Sequence, residues 1–82
     1  MKQSVLPMYF DPYARQRQKI LRLLDNEEFI PTQIFLQLGI SQYNARIYEL
    51  RRGEHDGKCH LIESTRRNGI YGFSYRGYGN RR

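Results

Sequence analysis

A chain of 82 residues forms one domain at most, and its core is too small to enclose a substrate cavity of any size. The formal net charge of +6 favours nucleic acid as the first partner and an anionic membrane surface as the second. One cysteine, Cys59, excludes an internal disulfide, and we find neither a signal peptide nor an apolar run of about 20 residues. We therefore expect a cytoplasmic protein without a membrane span.

The first predicted segment, residues 1–11, is apolar for a chain terminus. It is either a strap that packs on the domain or a contact with a second copy. Asp11 followed by Pro12 is typical of a helix start, since an acid caps the helix and proline needs no N–H partner at the first helical position. We predict a helix over residues 12–24. Beyond it, Glu28-Phe29-Ile30 could form a third, edge strand before Pro31.

The next stretch, residues 32–52, predicts two short helices joined by a tight turn. Thr32 would cap the first, over residues 33–38, and Gly39 would end it in the left-handed conformation that glycine adopts at no steric cost. Ile40 would be buried in the turn, and Ser41 would cap the second helix, over residues 42–52. This order is the helix-turn-helix pattern, whose second helix can enter the DNA major groove.

A β-hairpin is predicted by Asn68-Gly69, because both central residues of a type I′ turn need a positive φ. A two-residue loop there pairs Arg67 with Ile70 and Arg66 with Tyr71. One face of the hairpin should pack on the helices; it carries Ile62, Ser64, Arg66, Tyr71, Phe73 and Tyr75. The other should face water; it carries Glu63, Thr65, Arg67, Ser74 and Arg76. Residues 77–82 are predicted to be a mobile basic tail.

No pattern of residues predicts an enzyme or a cofactor. The sequence contains no Ser-His-Asp set, phosphate-binding loop or dinucleotide fingerprint. His55, Cys59 and His60 are too few for a structural zinc site, which needs four nitrogen or sulfur ligands. We expect no enzymatic activity, no metal and no small-molecule substrate.

The helix and strand order resembles the small winged helix-turn-helix proteins of phages and prophages. The matching residues are Gly39-Ile40-Ser41, the run 45–51 (ARIYELR), Ile62-Glu63-Ser64 and the aromatic strand 71–75. The likeness covers roughly residues 13–78. It implies an α+β fold with three helices and a C-terminal hairpin wing, over residues 12–76. It also implies DNA binding in a host bacterial cytoplasm as a repressor, excision factor or replication or packaging initiator, without choosing among them.

The periodicity of the second helix of the pair predicts which side chains meet DNA. Tyr43, Ile47 and Leu50 should turn inward. Four residues should turn outward, with Arg46 and Tyr48 on the flanks: Gln42, Ala45, Glu49 and Arg52. The candidate DNA-binding residues are Ser41, Gln42, Tyr43, Asn44, Ala45, Arg46, Tyr48, Arg52, Arg66, Arg67 and Asn68.

The chemistry of these side chains predicts individual roles. Gln42 suits adenine, Arg46 suits guanine or phosphate, and small Ala45 lets the backbone approach base edges. Glu49 would repel phosphates unless it reads a cytosine amine or is neutralised. We favour the second, with Arg46 and Arg52, three residues to either side, as its partners.

Double-stranded DNA is therefore the expected partner, bound either by a single copy of the protein or by a dimer. Two other functions stay open. One is a protein-interaction module that holds a polymerase or nuclease through the same surface. The other is RNA or single-strand binding, with bases stacked on exposed tyrosines such as Tyr48 and Tyr78.

Overall fold

A computed structural model describes residues 11–80. Three helices and three strands follow one another as α1 (Ala14–Asn26), β1 (Ile30–Pro31), α2 (Thr32–Gln37), α3 (Tyr43–Arg51), β2 (Lys58–Arg67) and β3 (Ile70–Asn80). The strands form one antiparallel sheet in the order β1-β3-β2. The predicted α+β class, with three helices and a C-terminal hairpin, is confirmed. The predicted N-terminal strap falls almost wholly on residues 1–10, outside the described residues.

Helix α1 is displaced toward the C-terminus from its predicted range, because Asp11 stabilises a turn before the helix rather than its first residue. The Asp11 carboxylate accepts a hydrogen bond from the Tyr13 backbone N–H at 3.0 Å, and the Ala14 N–H donates to the Asp11 carbonyl at 3.2 Å. Pro12 and Tyr13 form this turn, and Tyr13 takes the N-cap position. Along the described part of the chain, no helix is both long and apolar enough to cross a bilayer.

The turn between α2 and α3 forms largely as predicted. Gly39 has a φ of 80°, and the Ile40 N–H donates to the Phe35 carbonyl at 2.9 Å, which closes the end of α2. Ile40 is buried, with 2% of its surface exposed. The two predicted caps are wrong. Thr32 lies inside α2, and α3 has Gln42 rather than Ser41 at its N-cap, with no side-chain hydrogen bond there.

The hairpin has the predicted turn and register. Asn68 and Gly69 have φ values of 51° and 79°, and Arg67 pairs with Ile70. An edge strand is also confirmed, since Ile30 pairs with Phe73 in β3, but it continues to Pro31 and does not include Glu28 or Phe29. The predicted mobile tail is wrong for residues 77–80, which continue β3 along the first residues of β2. A β-bulge lets them do so: β3 has one more residue than β2 between two ladder pairs, and Gly77 there has a φ of 99°.

The core lies between the helices and the middle of the hairpin. Its largest fully buried side chains are Phe35, Ile20, Ile47 and Leu50. Arg66 and Tyr71, predicted to face the helices, are exposed because the hairpin tip extends past the helices. Ser74, predicted to face water, is only 4% exposed. Its short side chain lies directly opposite Glu63, and the Glu63–Arg76 ion pair crosses the same face of the sheet.

Candidate nucleic-acid interface

Helix α3 exposes a polar side that begins at its N-terminus. Ser41, Gln42, Asn44, Tyr48 and Arg52 are exposed. Tyr43 and Ala45, also predicted DNA-binding residues, are half-buried. Tyr43 packs against Phe35 with 5.6 Å between ring centroids, so its role in the core is larger than its role on the surface.

Arg46 does not lie on an exposed flank of α3, as the helical periodicity predicted. Only 4% of its surface is exposed. Its Nε and Nη2 both donate to the Glu49 carboxylate at 3.0 Å, and its guanidinium lies 3.6 Å from the centroid of the Tyr13 ring. In this position Arg46 cannot reach a base or a phosphate. The predicted exposed position of Arg46 was wrong because α1 covers this side of α3. The sequence of α3 alone does not show this.

Glu49 also differs from its predicted outward position. Its side chain is 19% exposed and pairs with Arg46 and with Arg17, whose Nη1 donates to Glu49 Oε1 at 2.6 Å. The predicted pairing with Arg46 is confirmed, and the pairing with Arg52 is wrong. Arg52 instead pairs with Glu54 at 3.1 Å and donates to the Tyr48 hydroxyl at 3.0 Å.

A partly buried ionic cluster therefore joins α1 to α3; its arginines are buried and its Asp11 is exposed, and it consists of Asp11, Arg17, Arg46 and Glu49. Arg17 donates to both carboxylates and, at 3.3 Å, to Nδ1 of His55. Desolvation alone would raise the pKa of Asp11, but hydrogen bonds from Arg17 and the Tyr13 backbone lower that pKa below its ordinary value. Sequence reasoning missed Arg17. Its spacing from Tyr13 and Ile20 places it on the inward stripe of α1, and that was the available signal.

The two arginines at the hairpin tip have different surroundings. The Arg66 guanidinium lies 4.3 Å from the centroid of the Tyr71 ring and donates to the Tyr71 hydroxyl at 2.7 Å. Arg67, its neighbour along the strand, points to the opposite face of the sheet. It lies 5.2 Å from the Phe29 ring and 3.7 Å from the Glu28 carboxylate. Asn68 is exposed in the turn beyond them.

Arg51, which was not among the predicted site residues, ties the end of α3 to β2. Its Nε donates to the Ile62 carbonyl at 2.9 Å, and its Nη2 lies 3.2 Å from the Ser64 hydroxyl. These contacts hold the hairpin at a set position relative to α3. Nothing in the sequence pattern identified this tether, because its acceptor is a backbone carbonyl.

An open groove of about 300 Å³ separates the N-terminal part of α3 from the tip half of the hairpin. We call it the helix–hairpin groove; it is lined by Thr32, Tyr43, Asn44, Ser64, Tyr71, Gly72 and Phe73. The exposed polar start of α3 and the Arg66–Tyr71 face of the hairpin thus border one concave surface.

The charges around this groove are positive and poorly compensated. Across residues 11–80, no ion pair joins Arg51 or Arg66 to a carboxylate. Arg17 and Arg46, in contrast, are neutralised inside the ionic cluster. An anionic polymer would therefore meet an uncompensated positive charge on the groove side of the molecule.

A second buried polar chain lies at the other end of the hairpin. His60 is 4% exposed, with its Nε2 3.0 Å from Asp56 Oδ1 and its Nδ1 2.8 Å from the Tyr75 hydroxyl. Burial, assisted by the nearby carboxylates of Asp25 and Asp56, raises the pKa of Tyr75, so its hydroxyl stays protonated. Within the part of the chain that the structure describes, no group of three or more metal-ligating side chains comes together.

Comparisons of the chain with protein-family models, curated protein sequences and solved structures found no significant match.

Proposed function

We propose that this protein is a winged helix-turn-helix protein that binds double-stranded DNA sequence-specifically. Helix α3 would enter the major groove, and the β2–β3 hairpin would be the wing that contacts the backbone or the minor groove. One observation supports the proposal most: the exposed polar start of α3 and the Arg66–Tyr71 face of the hairpin border the same groove. The phage-type regulators and excision or replication factors that the sequence resembles are the class we propose.

The exposed residues of α3 divide into base-reading and backbone-contacting groups. Gln42 and Asn44 have the donor and acceptor pattern that suits adenine in the major groove. Ser41, Tyr48 and Arg52 would contact phosphates, which position the helix without reading sequence. Arg46 has a positioning role instead of a base-reading role. Its guanidinium packs on the Tyr13 ring, and it holds the Glu49 carboxylate that accepts a hydrogen bond from Arg17 of α1.

The first experiment measures how the affinity for duplex DNA depends on salt. Since each neutralised phosphate releases counterions, binding should weaken steeply between about 50 and 200 mM salt. Replacing Arg66 and Arg67 by alanine should weaken binding to every sequence equally and flatten the salt dependence. Arg76→Ala is the matched control, because that exposed arginine lies on the same hairpin but is paired with Glu63 at 2.7 Å. Binding that is absent at low salt would refute the proposal.

The second experiment separates sequence reading from simple attachment. A random duplex pool should enrich one motif, and a palindromic motif would indicate a dimer on DNA. Gln42→Ala or Asn44→Ala should each reduce discrimination for that motif by roughly 1–3 kcal/mol while random DNA is affected less. Equal losses on all sequences would make α3 a phosphate anchor only.

A second candidate function is supported by two exposed leucines at the end of α2. Leu36 and Leu38 are 52% and 42% exposed, and exposed apolar side chains can form a protein contact. In this case the protein would bind a polymerase or nuclease. A double Leu36→Ser, Leu38→Ser variant that keeps DNA binding but loses its biological effect would favour this function. A variant that retains both would contradict it.

A further inference from the structure

The helix–hairpin groove has the chemistry of a nucleobase site. Its walls are aromatic: Tyr43 and Phe73 meet edge to face with 6.0 Å between centroids, and Tyr71 forms the outer wall. Asn44 and Ser64, which offer neutral hydrogen-bonding groups, lie among them. None of the described residues that line the groove carries a carboxylate. An aromatic surface with neutral donors and acceptors fits the face and edge of a base better than it fits a phosphate.

Tyr71 is exposed to an unusual degree for a large ring held in a fixed place. Its exposed fraction, 61%, is higher than that of any other exposed large hydrophobic side chain among the described residues. The ring is nevertheless held, because Arg66 both covers it and hydrogen-bonds to its hydroxyl. A pre-positioned ring loses little conformational freedom when a ligand stacks on it.

The other end of the hairpin provides a natural comparison. Tyr78 is 54% exposed, and the Lys58 ammonium lies 4.4 Å from its ring centroid. Tyr78 therefore repeats the pairing of a tyrosine with a cation, but at the end of the hairpin opposite the tip, beside α1. The groove beside it contains the carboxylate of Asp25. Among residues 11–80, only the Tyr71 end of the hairpin combines a stacking ring with a neutral polar lining.

We propose that the helix–hairpin groove binds one unpaired nucleobase of an otherwise double-stranded DNA, stacked on Tyr71. The inference rests on the proposed DNA binding, and it narrows the ligand to duplexes that contain a bulged or junction nucleotide. In an intact duplex the face of every base is covered by its neighbours, so only an unstacked base can present its face to Tyr71. Arg66 at the rim would meet the phosphate of that nucleotide.

The test compares two duplexes of identical sequence, one fully paired and one with a single additional unpaired 2-aminopurine. Anisotropy gives the two affinities, and 2-aminopurine fluorescence reports stacking of the unpaired base. Stacking of one base on an aromatic side chain corresponds to a preference of about 5- to 150-fold for the bulged duplex. Fluorescence of the unpaired base should change on binding.

Variants of Tyr71 and Tyr78 test whether the preference for the bulged duplex depends on the Tyr71 ring. Tyr71→Leu should bring the ratio of the two affinities to about one and remove the fluorescence change. Tyr71→Phe keeps the ring and should keep most of the preference, which guards against a misfolded leucine variant. Tyr78→Leu is the matched control and should keep the full ratio.

The outcomes separate this inference from the proposed function. Equal affinity of the wild-type protein for the two duplexes overturns the inference and leaves DNA binding standing. Binding to neither duplex at low salt overturns the proposed function itself. A free single strand bound as tightly as the bulged duplex also overturns the inference, because recognition would then not need the paired flanks.

Discussion

Replacing Glu49 by methionine tests the ionic cluster most directly. Glu49 accepts both hydrogen bonds that Arg46 donates, and Arg46 is only 4% exposed. Nη1 of Arg46 is buried without a hydrogen-bond partner, so the wild-type guanidinium is already incompletely satisfied. Glu49→Met would leave this cation with the Tyr13 ring alone. Removing one partner of a buried ion pair costs about 3–5 kcal/mol of folding free energy.

Replacing the other partner, Arg46, by methionine should lower the unfolding free energy by less. After Arg46→Met, Glu49 still accepts a hydrogen bond from Arg17 at 2.6 Å, and its side chain is 19% exposed. We expect a loss of roughly 1–3 kcal/mol from the missing charged hydrogen bonds. The double variant should be more stable than Glu49→Met alone, because it no longer buries an unpaired cation at position 46.

Urea unfolding followed by circular dichroism at neutral pH measures these differences. A chain of this length is stabilised by roughly 4–12 kcal/mol, so Glu49→Met can leave the protein marginally folded. Glu63→Met is the control, since Glu63 pairs with Arg76 on the surface and its loss should cost less than about 1 kcal/mol. If Arg46→Met costs as much as Glu49→Met, or if the two effects add, the cluster does not work as described.

Three further variants test the core, the sheet and the second polar chain. Ile47→Ala truncates a side chain that is 1% exposed and should lower the unfolding free energy by roughly 2–5 kcal/mol; an unchanged melting temperature would contradict its placement. Gly72→Ala should destabilise by about 1–3 kcal/mol or more, since a Cβ there would lie 2.4 Å from a backbone oxygen of β1, whereas Gly79→Ala meets no atom within 4 Å and should be close to neutral. Desolvation would raise the pKa of Asp56, but hydrogen bonds from the Lys58 N–H and His60 lower that pKa below 3.8. The stabilisation that ionised Asp56 provides above pH 3.8 is therefore lost as the pH falls through the lowered pKa. Asp56→Asn should therefore flatten the acid limb of a stability–pH curve, and an unchanged limb would show that this carboxylate contributes nothing.

Local conformation was predictable wherever one or two residues need a backbone conformation that few residue types adopt. Gly39 ends α2, and Asn68-Gly69 turns the hairpin, because these positions need a positive φ that few other residues adopt at low cost. A two-residue turn then sets the register of every pair near it, so the partners of Arg66 and Arg67 followed directly. The exposed positions of Gln42 and Arg52 were also predictable from the helical period, whereas Ala45 and Glu49, placed outward by the same period, are half-buried.

The surroundings of Arg46 and Arg51 were not predictable, because they include groups that lie far away in the sequence. Arg46 was assigned to the surface from the period of α3, but α1 supplies Arg17 and Tyr13 beside it and makes its burial possible. The Ile62 carbonyl that holds Arg51 became known only from the position of β2. A long cation can point to water or to a buried acceptor with little difference in local geometry, so the tertiary structure decides between them. The sequence alone determined where the chain turns and that the start of α3 is polar. The tertiary structure decided which arginines are held in ion pairs and which can meet a ligand.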